Sequence, residues 1–290
     1  MDNLGLKTRN NRIDLRELIS PTLTFIRRIS TDRMEGEVFA GRVTVRKARW
    51  TGLDFTGSHL NDIGFIDCIF TDCVFDECNC KGWGVWRSLF KDTSFRGADL
   101  RGAALGPVLD RERNSFRRVD FSGADLRQTS YDSADFVGCA FNRCKLTKVD
   151  FQGSSFTDCV FQGEVREVLF YRHAFRGDSL PPNEMSGVDF GRATLRFVGF
   201  RGLNLDGVKF PQGKDHIIIE HYPETLDRLL KLLSQKTGST STKLKRLIPY
   251  LKDLRKWAGP KQQCGVINRL DLQEFIGEEG VDRLIEMLAS

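Results

Sequence analysis

The sequence predicts an all-β coil of four-sided turns, followed by a small α-helical domain. Three observations lead there. Phe is used heavily, 22 times in 290 residues, although only 40% of the chain is hydrophobic. Large apolar residues recur every five positions between Val45 and Phe210, at 32 centres of which 26 are Phe or Leu. Beyond residue 216, Leu replaces Phe and the spacing becomes that of an amphipathic helix.

The five-residue register runs from Val45 through Trp50, Phe55, Leu60, Phe65, Phe70 and Phe75 to Leu105. It slips by one residue, runs from Phe116 to Phe161, slips again, and runs from Phe170 to Phe210. Eighteen of the 22 Phe lie on it. Two residues before most centres stands Ala, Ser, Thr, Cys or Val, as at Cys73, Ala98 and Ala124. Gly often follows two residues after the centre, as at Gly57 and Gly123. A period of five fits neither a helix nor an ordinary strand. It fits a chain with two inward and three outward residues per block that turns a quarter circle per block. Four blocks then close one coil, and stacked coils satisfy each other's backbone. The 32 blocks make about eight coils, a rod of roughly 38 Å at ~4.8 Å per coil.

An open coil needs both ends covered. Residues 1–42 are expected to form a basic N-terminal cap, with 13–19 (IDLRELI) helical and 23–29 (LTFIRRI) strand-like. Three interruptions read as loops: GPVLDRERN at 106–114, GEVREV at 163–168 and the proline-bearing DSLPPNEMSG at 178–187. The coil is expected to occupy 43–212. The helical domain is expected to occupy 213–290. Its first helix opens at Pro223, carries Leu226, Leu229, Leu230 and Leu233, and ends at Gly238. Thr242 is the expected N-cap of a second helix, with Leu244, Leu247, Ile248, Leu251 and Leu254 on one face and Pro249 splitting it. Two further pieces, Asn268–Ile276 and Val281–Leu288, flank Gly277.

The blocks ADLRG at 98–102 and ADLRQ at 124–128 resemble the A(D/N)LXX motif of the pentapeptide-repeat family, and the resemblance spans about 43–210. Trp83, His173, Asp178 and Asn183 depart from the motif at the small position, as do Cys80 and Val85 at the centre. The resemblance implies a right-handed quadrilateral β-helix. It also implies a candidate function, because some members bind DNA gyrase through rods resembling duplex DNA and protect it from inhibitors. The residues argue against that here. Only residues 20 apart stack, so Asp72 lies over Asp92, but Asp67 meets Arg87, Asp62 meets Gly82 and Asp76 meets Arg96. Such faces are mixed, not a continuous acidic ladder.

No motif for an enzyme, cofactor or metal is present. Six of the eight Cys (68, 73, 78, 139, 144 and 159) take the small inward position, where a thiol acts as a small hydrophobe. His173 also takes an inward slot and is expected to be a core residue. The other His residues, His59, His216 and His221, belong to no catalytic arrangement. The expectation is a non-enzymatic interaction scaffold without cofactor. The candidate partner-binding residues are Asp110, Arg111, Glu112 and Arg113 in the first loop. On the second C-terminal helix they are Lys243, Lys245, Arg246, Lys252, Arg255 and Lys256. The partner is expected to be a protein, or a second copy docking through the C-terminal domain as a homodimer. Nucleic-acid contact through the basic helix is the weaker alternative, because the net charge is only +5. No apolar run reaches the ~18 residues of a membrane span. The first residues lack the apolar core of a secretory signal, so a cytoplasmic location with reduced thiols is expected.

Overall fold

The computed structural model describes residues 7–16, 35–39, 42–174, 180–235, 243–260 and 262–289. Over the repeat region the chain is a β-helix of short parallel strands. One ladder joins Trp50, Phe70, Phe90, Phe116, Phe136 and Phe156. The step is 20 residues except between Phe90 and Phe116, where the first loop makes it 26. The rings follow the backbone. Phe70 and Phe90 stack with centroids 4.3 Å apart, and Phe136 stacks at 5.0 Å on both Phe116 and Phe156. Almost every centre is fully buried, so the Phe excess is an internal column.

The small inward position does more than fill space. Cys139 Sγ donates to Phe116 O, Cys159 Sγ to Phe136 O and Cys68 Sγ to Val45 O, each 23 residues back. Trp83 Nε1 reaches Leu60 O and Ser154 Oγ reaches Tyr131 O by the same offset. Where the small position carries a donor, it bonds a centre carbonyl of the coil before; where it carries Ala, as at Ala98 and Ala124, it only fills the space. All six inward thiols are buried, and burial pushes Cys68, Cys73 and Cys144 up to about 12. They are packing thiols, and no metal-holding cluster occurs among the described residues.

The glycine-rich position two residues after the centre has a positive φ. Gly57 is at 73° and Gly97 at 66°, while Asp62 and Asp67 adopt 59° at equivalent positions. Asp tolerates this left-handed region better than most residues. The repeated acids are therefore turn residues first and surface charges second.

Several expectations change. Ile13–Asp14 is not helical: it pairs in parallel with Leu53–Asp54, and Leu15 N–H donates to Asp54 O. Ile13 and Leu15 lie against the first coil, where an extended segment can bond the open edge and a helix could not. The 23–29 segment, Gly238 and Thr242 lie outside the described residues. Residues 35–39 and 42–46 form an antiparallel hairpin whose second strand joins the β-helix.

The second interruption is a deletion. Phe151 pairs with Phe170, a step of 19, and buried Val165 serves as a centre in a block of four. The third is an insertion of ten, since Phe170 pairs with Phe200. Ten is two whole blocks, so the sequence register survives although the chain has left the coil. His173 is consequently exposed rather than inward, and Leu180 joins no ladder.

The C-terminal domain is not helical alone. Strands β1 (His216–Glu220) and β2 (Cys264–Asn268) form an antiparallel pair. Around them pack α1 (Tyr222–Gln235), a 3₁₀ turn at Lys245–Leu247, α2 (Ile248–Trp257, with Pro249 in its first turn) and α3 (Arg269–Ala289). Gly277, at φ 70 and ψ 173, divides α3 in two, a conformation only glycine adopts readily. The sheet is two-sided. Ile217, Ile219 and Ile267 face the helices, while Val266 and Cys264 face the β-helix core. β1 (HIIIE) and β2 (CGVIN) are short apolar runs without alternation, which periodicity alone does not separate from pieces of a buried helix, and this hid them.

This domain closes the end of the β-helix with specific bonds. Leu195 N–H donates to His216 Nε2 at 3.0 Å, Phe197 N–H to Asp271 Oδ2 at 2.6 Å and Gly202 N–H to Trp257 O at 2.7 Å. Asp271 is buried against Arg196, which also reaches Glu274. Burial pushes the Asp271 carboxyl up, against the pull of Arg196 and the Phe197 N–H. Arg201 lies over the rings of Trp257 (4.4 Å) and Tyr171 (5.0 Å). The cavity of about 80 Å³ beneath Phe197, Arg201, Tyr250 and Trp257 is part of this seam.

Two outcomes are expected. Phe136→Ala, between two stacked rings, will cost about 3–5 kcal/mol in denaturant unfolding; a loss under 1 kcal/mol would contradict the column. His216 must be neutral to accept from Leu195. Burial lowers it from its ordinary 6.5, with Asp215 opposing. The domain seam is therefore intact above pH 6.5 and weakens as pH falls through the lowered value. Amide exchange at Leu195 across that range will read it, and a flat profile would refute the role.

Candidate interaction site

The outer wall carries charge in compensated groups. Arg87 forms a two-pronged pair with Asp67 and also reaches Asp110. Arg118 pairs with Asp92, Arg12 with Asp72, and Arg101 and Lys81 with Asp99. Asp99 is held near 2 chiefly by Arg101, with burial opposing. Asp125 gathers Arg127, Arg101 and Lys145. Twenty-residue stacking made Asp67–Arg87 legible, but not the partners of Asp92, Asp72 and Asp99, which lie 26, 60 and 2 residues away; together these cations divide the acids into pairs. Exposed pairs of this kind add little stability each.

Two loops interrupt the wall and meet. In the first, Leu109 and Glu112 bond each other's backbone across Asp110 and Arg111, whose φ values are 53° and 67°. Positive φ at both central residues is the geometry of a tight hairpin turn. Asp110, Arg111 and Glu112 are exposed at its tip. Arg113 behind them is half-buried. Its Nη1 donates to Ser155 Oγ at 3.2 Å and its Nη2 to Pro181 O at 2.7 Å, in the other loop 68 residues away. Burial lowers its pKa, with Asp135 opposing. Between the loops runs a groove of about 480 Å³ lined by Arg111, Arg113, Arg117, Ser155, Leu180 and Pro181. Glu184 on its rim is paired with Arg172, and Asp135 with Arg117. The uncompensated charge of the groove is positive.

Both loops return to the coil in the same way. Asn114 and Asn183 each stand two residues before the next centre, fully buried. Asn114 Oδ1 accepts from Ser88 N–H, and its Nδ2 donates to Val85 O and Leu105 O. Asn183 Oδ1 accepts from the N–H groups of Phe156 and Met185, and its Nδ2 donates to Tyr171 O. A loop removes backbone partners from the coil beneath, and a carboxamide supplies both a donor and an acceptor in their place. At the exit of the first loop a Cβ on Gly106 would lie 2.2 Å from Asp132 N, so the chain leaves through a gap only glycine permits.

The second group of candidate residues is elsewhere. Leu244, Leu247 and Leu251 are buried in the C-terminal core, which turns Lys243, Lys245, Arg246, Lys252 and Lys256 outward. Arg255 pairs with Asp227, and Lys256 lies over Trp257. The sequence singled out the first-loop charges but missed Arg117, Ser155 and Pro181 beside them. It also passed over the shared signal of the two asparagines, a carboxamide at the inward position after each interruption.

Residues 132–163 match the family profile described as pentapeptide repeats (8 copies). No curated protein matches the chain in sequence. Among solved structures, a trypsin-treated variant of QnrB1, a plasmid-mediated fluoroquinolone resistance protein, is 17% identical. That match covers 78% of this chain and 98% of that one, at a TM-score of 0.38. HetL, a pentapeptide repeat protein involved in heterocyst differentiation regulation from the cyanobacterium Nostoc sp., is 14% identical over 58% of this chain and 83% of that one, at a TM-score of 0.21. Rfr23, a pentapeptide repeat protein from the cyanobacterium Cyanothece, is 14% identical over 51% and 88%, at 0.21.

Asn183→Leu fills the same space without the bonds. It is expected to cost about 2–4 kcal/mol in denaturant unfolding, with new proteolytic cleavage in the second loop. Unchanged stability would show that the asparagine does not hold the loop.

Proposed function

This chain is a pentapeptide-repeat protein, and we propose that it is a non-enzymatic interaction scaffold whose loop groove receives an acidic segment of a protein partner. In this reading the scaffold is a right-handed quadrilateral solenoid of about eight coils over 43–212, with 1–42 and 213–290 closing its ends. The cell compartment is the cytoplasm. The observation that carries the reading is the Arg113 bridge. One guanidinium ties two loops into a single rimmed groove, with Arg111 exposed and Arg117 beside it. Loops on a rigid scaffold are where recognition residues sit, because their backbone is free of the pairing that fixes the wall. Asp110 and Glu112 at the hairpin tip orient that loop, Asp110 through Arg87. The protein supplies no cofactor chemistry in this role.

The exposed Lys243, Lys245, Arg246, Lys252 and Lys256, with Arg255 beside them, form a second contact surface for an acidic partner. The nucleic-acid alternative uses this same face and predicts binding that weakens steeply with salt. A topoisomerase modulator acting as a DNA mimic would require an acidic face, and the wall gives alternating pairs such as Asp67–Arg87 and Asp92–Arg118 instead.

The test is affinity capture with the tagged full chain from its native cell. A discrete protein partner is expected. The double variant Arg111→Glu/Arg117→Glu should lose most of it, while Lys252→Glu/Lys256→Glu loses less. Capture undiminished by the groove variant would overturn the assignment.

A further inference from the structure

β1 is an edge strand. It pairs with β2 on one side, and among the described residues no third strand pairs with it. The phase of that pairing is fixed by Arg269 N–H donating to Asp215 O. With His216 opposite Asn268 and Ile219 opposite Gly265, residues 215, 217 and 219 exchange bonds with β2. The amide and carbonyl of Ile218 therefore point away from it. Ile218 is 41% exposed and Leu270, just past the other end of the pair, is 44% exposed. These are two of the three exposed large hydrophobic residues among those described.

A bare apolar edge is normally blunted by Lys, Pro or a bulge. This one is not, and its charges have a particular order. The segment reads Asp215-His216-Ile217-Ile218-Ile219-Glu220-His221. Turned end for end about Ile218, the strand sets His216 against Glu220 and Ile217 against Ile219. The strand's acid meets a histidine, and apolar meets apolar. The parity is also right: Ile218 and the His216–Glu220 pair fall on one face, the others on the opposite face. His216 accepts at Nε2 from Leu195, which leaves the proton of the neutral ring on Nδ1, a donor for a carboxylate.

We propose that β1 binds the β1 strand of a second copy of this chain, antiparallel and centred on Ile218, to make a four-stranded sheet across a two-fold axis. The two Ile218 residues exchange backbone bonds, and the Glu220 amides donate to the His216 carbonyls. A two-fold contact must be self-complementary, residue i meeting j and j meeting i, and the acid–histidine order meets that condition without a separate partner surface. The inference deepens the reading of the C-terminal domain as an interaction module. It is independent of the loop groove.

Light scattering of the full chain is expected to show a dimer. Ile218→Pro removes an amide that β2 does not use, and Glu220→Lys places two cations opposite; each should give a monomer with unchanged circular dichroism and melting. Ile218→Cys should form a disulfide-linked dimer under mild oxidation, since paired Cα atoms lie about 5.5 Å apart in such a ladder. Lys214→Cys, four residues from the axis, should not. A monomeric parent, a dimer untouched by Glu220→Lys, or equal crosslinking at both positions would overturn the proposal. Partner capture by the groove would survive each of these results, so the two readings fail separately.

Discussion

The whole molecule depends on how a chain that turns every five residues satisfies its backbone. Short strands pair with the coil above and below, but at many turns a centre carbonyl faces inward with bonding capacity to spare. The small inward position answers it with a thiol, hydroxyl or indole donor 23 residues on, as Cys139 does for Phe116 and Trp83 for Leu60. That requirement limits the inward residue to something small or able to donate. The remaining interior is then a column wide enough for one ring per block, which is why Phe is so abundant and so uniformly buried.

The same requirement explains the ends and the loops. Where no coil follows, the amides of Leu195, Phe197 and Gly202 would be orphaned, and the C-terminal domain supplies His216, Asp271 and the Trp257 carbonyl. Where a loop leaves, Asn114 or Asn183 supplies the missing donor and acceptor. Cap and loop solve one problem by different means. The rigidity of the loop feet follows, because a buried carboxamide with three bonds has one acceptable position. A groove between two such loops is held open by the coil itself.

The register was legible in the sequence because packing enforces it at every block, and the column, the inward cysteines and the mixed wall charges follow from that periodicity. What escaped was whatever the period does not constrain. The ten-residue loop keeps register because ten is two blocks, so Phe170 reaches Phe200 and His173 falls outside. Leu and Arg in IDLRELI suit a helix locally, yet the open edge of the first coil takes Ile13 and Asp14 as a strand. Tertiary context outweighs propensity there. The meeting of Arg113 with Pro181 joins loops 68 residues apart. No local pattern encodes such a contact, so the groove appears only in the fold.

Surface function must then be sought where backbone pairing is relaxed. On the wall the turn position demands Gly or a residue tolerant of positive φ, which accounts for Asp62, Asp67 and Asp92 without invoking recognition. Arg87 and Arg118 on the next coil neutralise Asp67 and Asp92, so the wall there offers a partner little net field. The loop groove differs in both respects. Its cations exceed its free anions, and its residues answer to no ladder. The β1 edge differs in a third way, by leaving a peptide amide and carbonyl unpaired beside an exposed Ile218. Recognition on a β-helix of this kind is therefore confined to breaks in its regularity: to the loops that leave it and to the strand that its terminal domain leaves open.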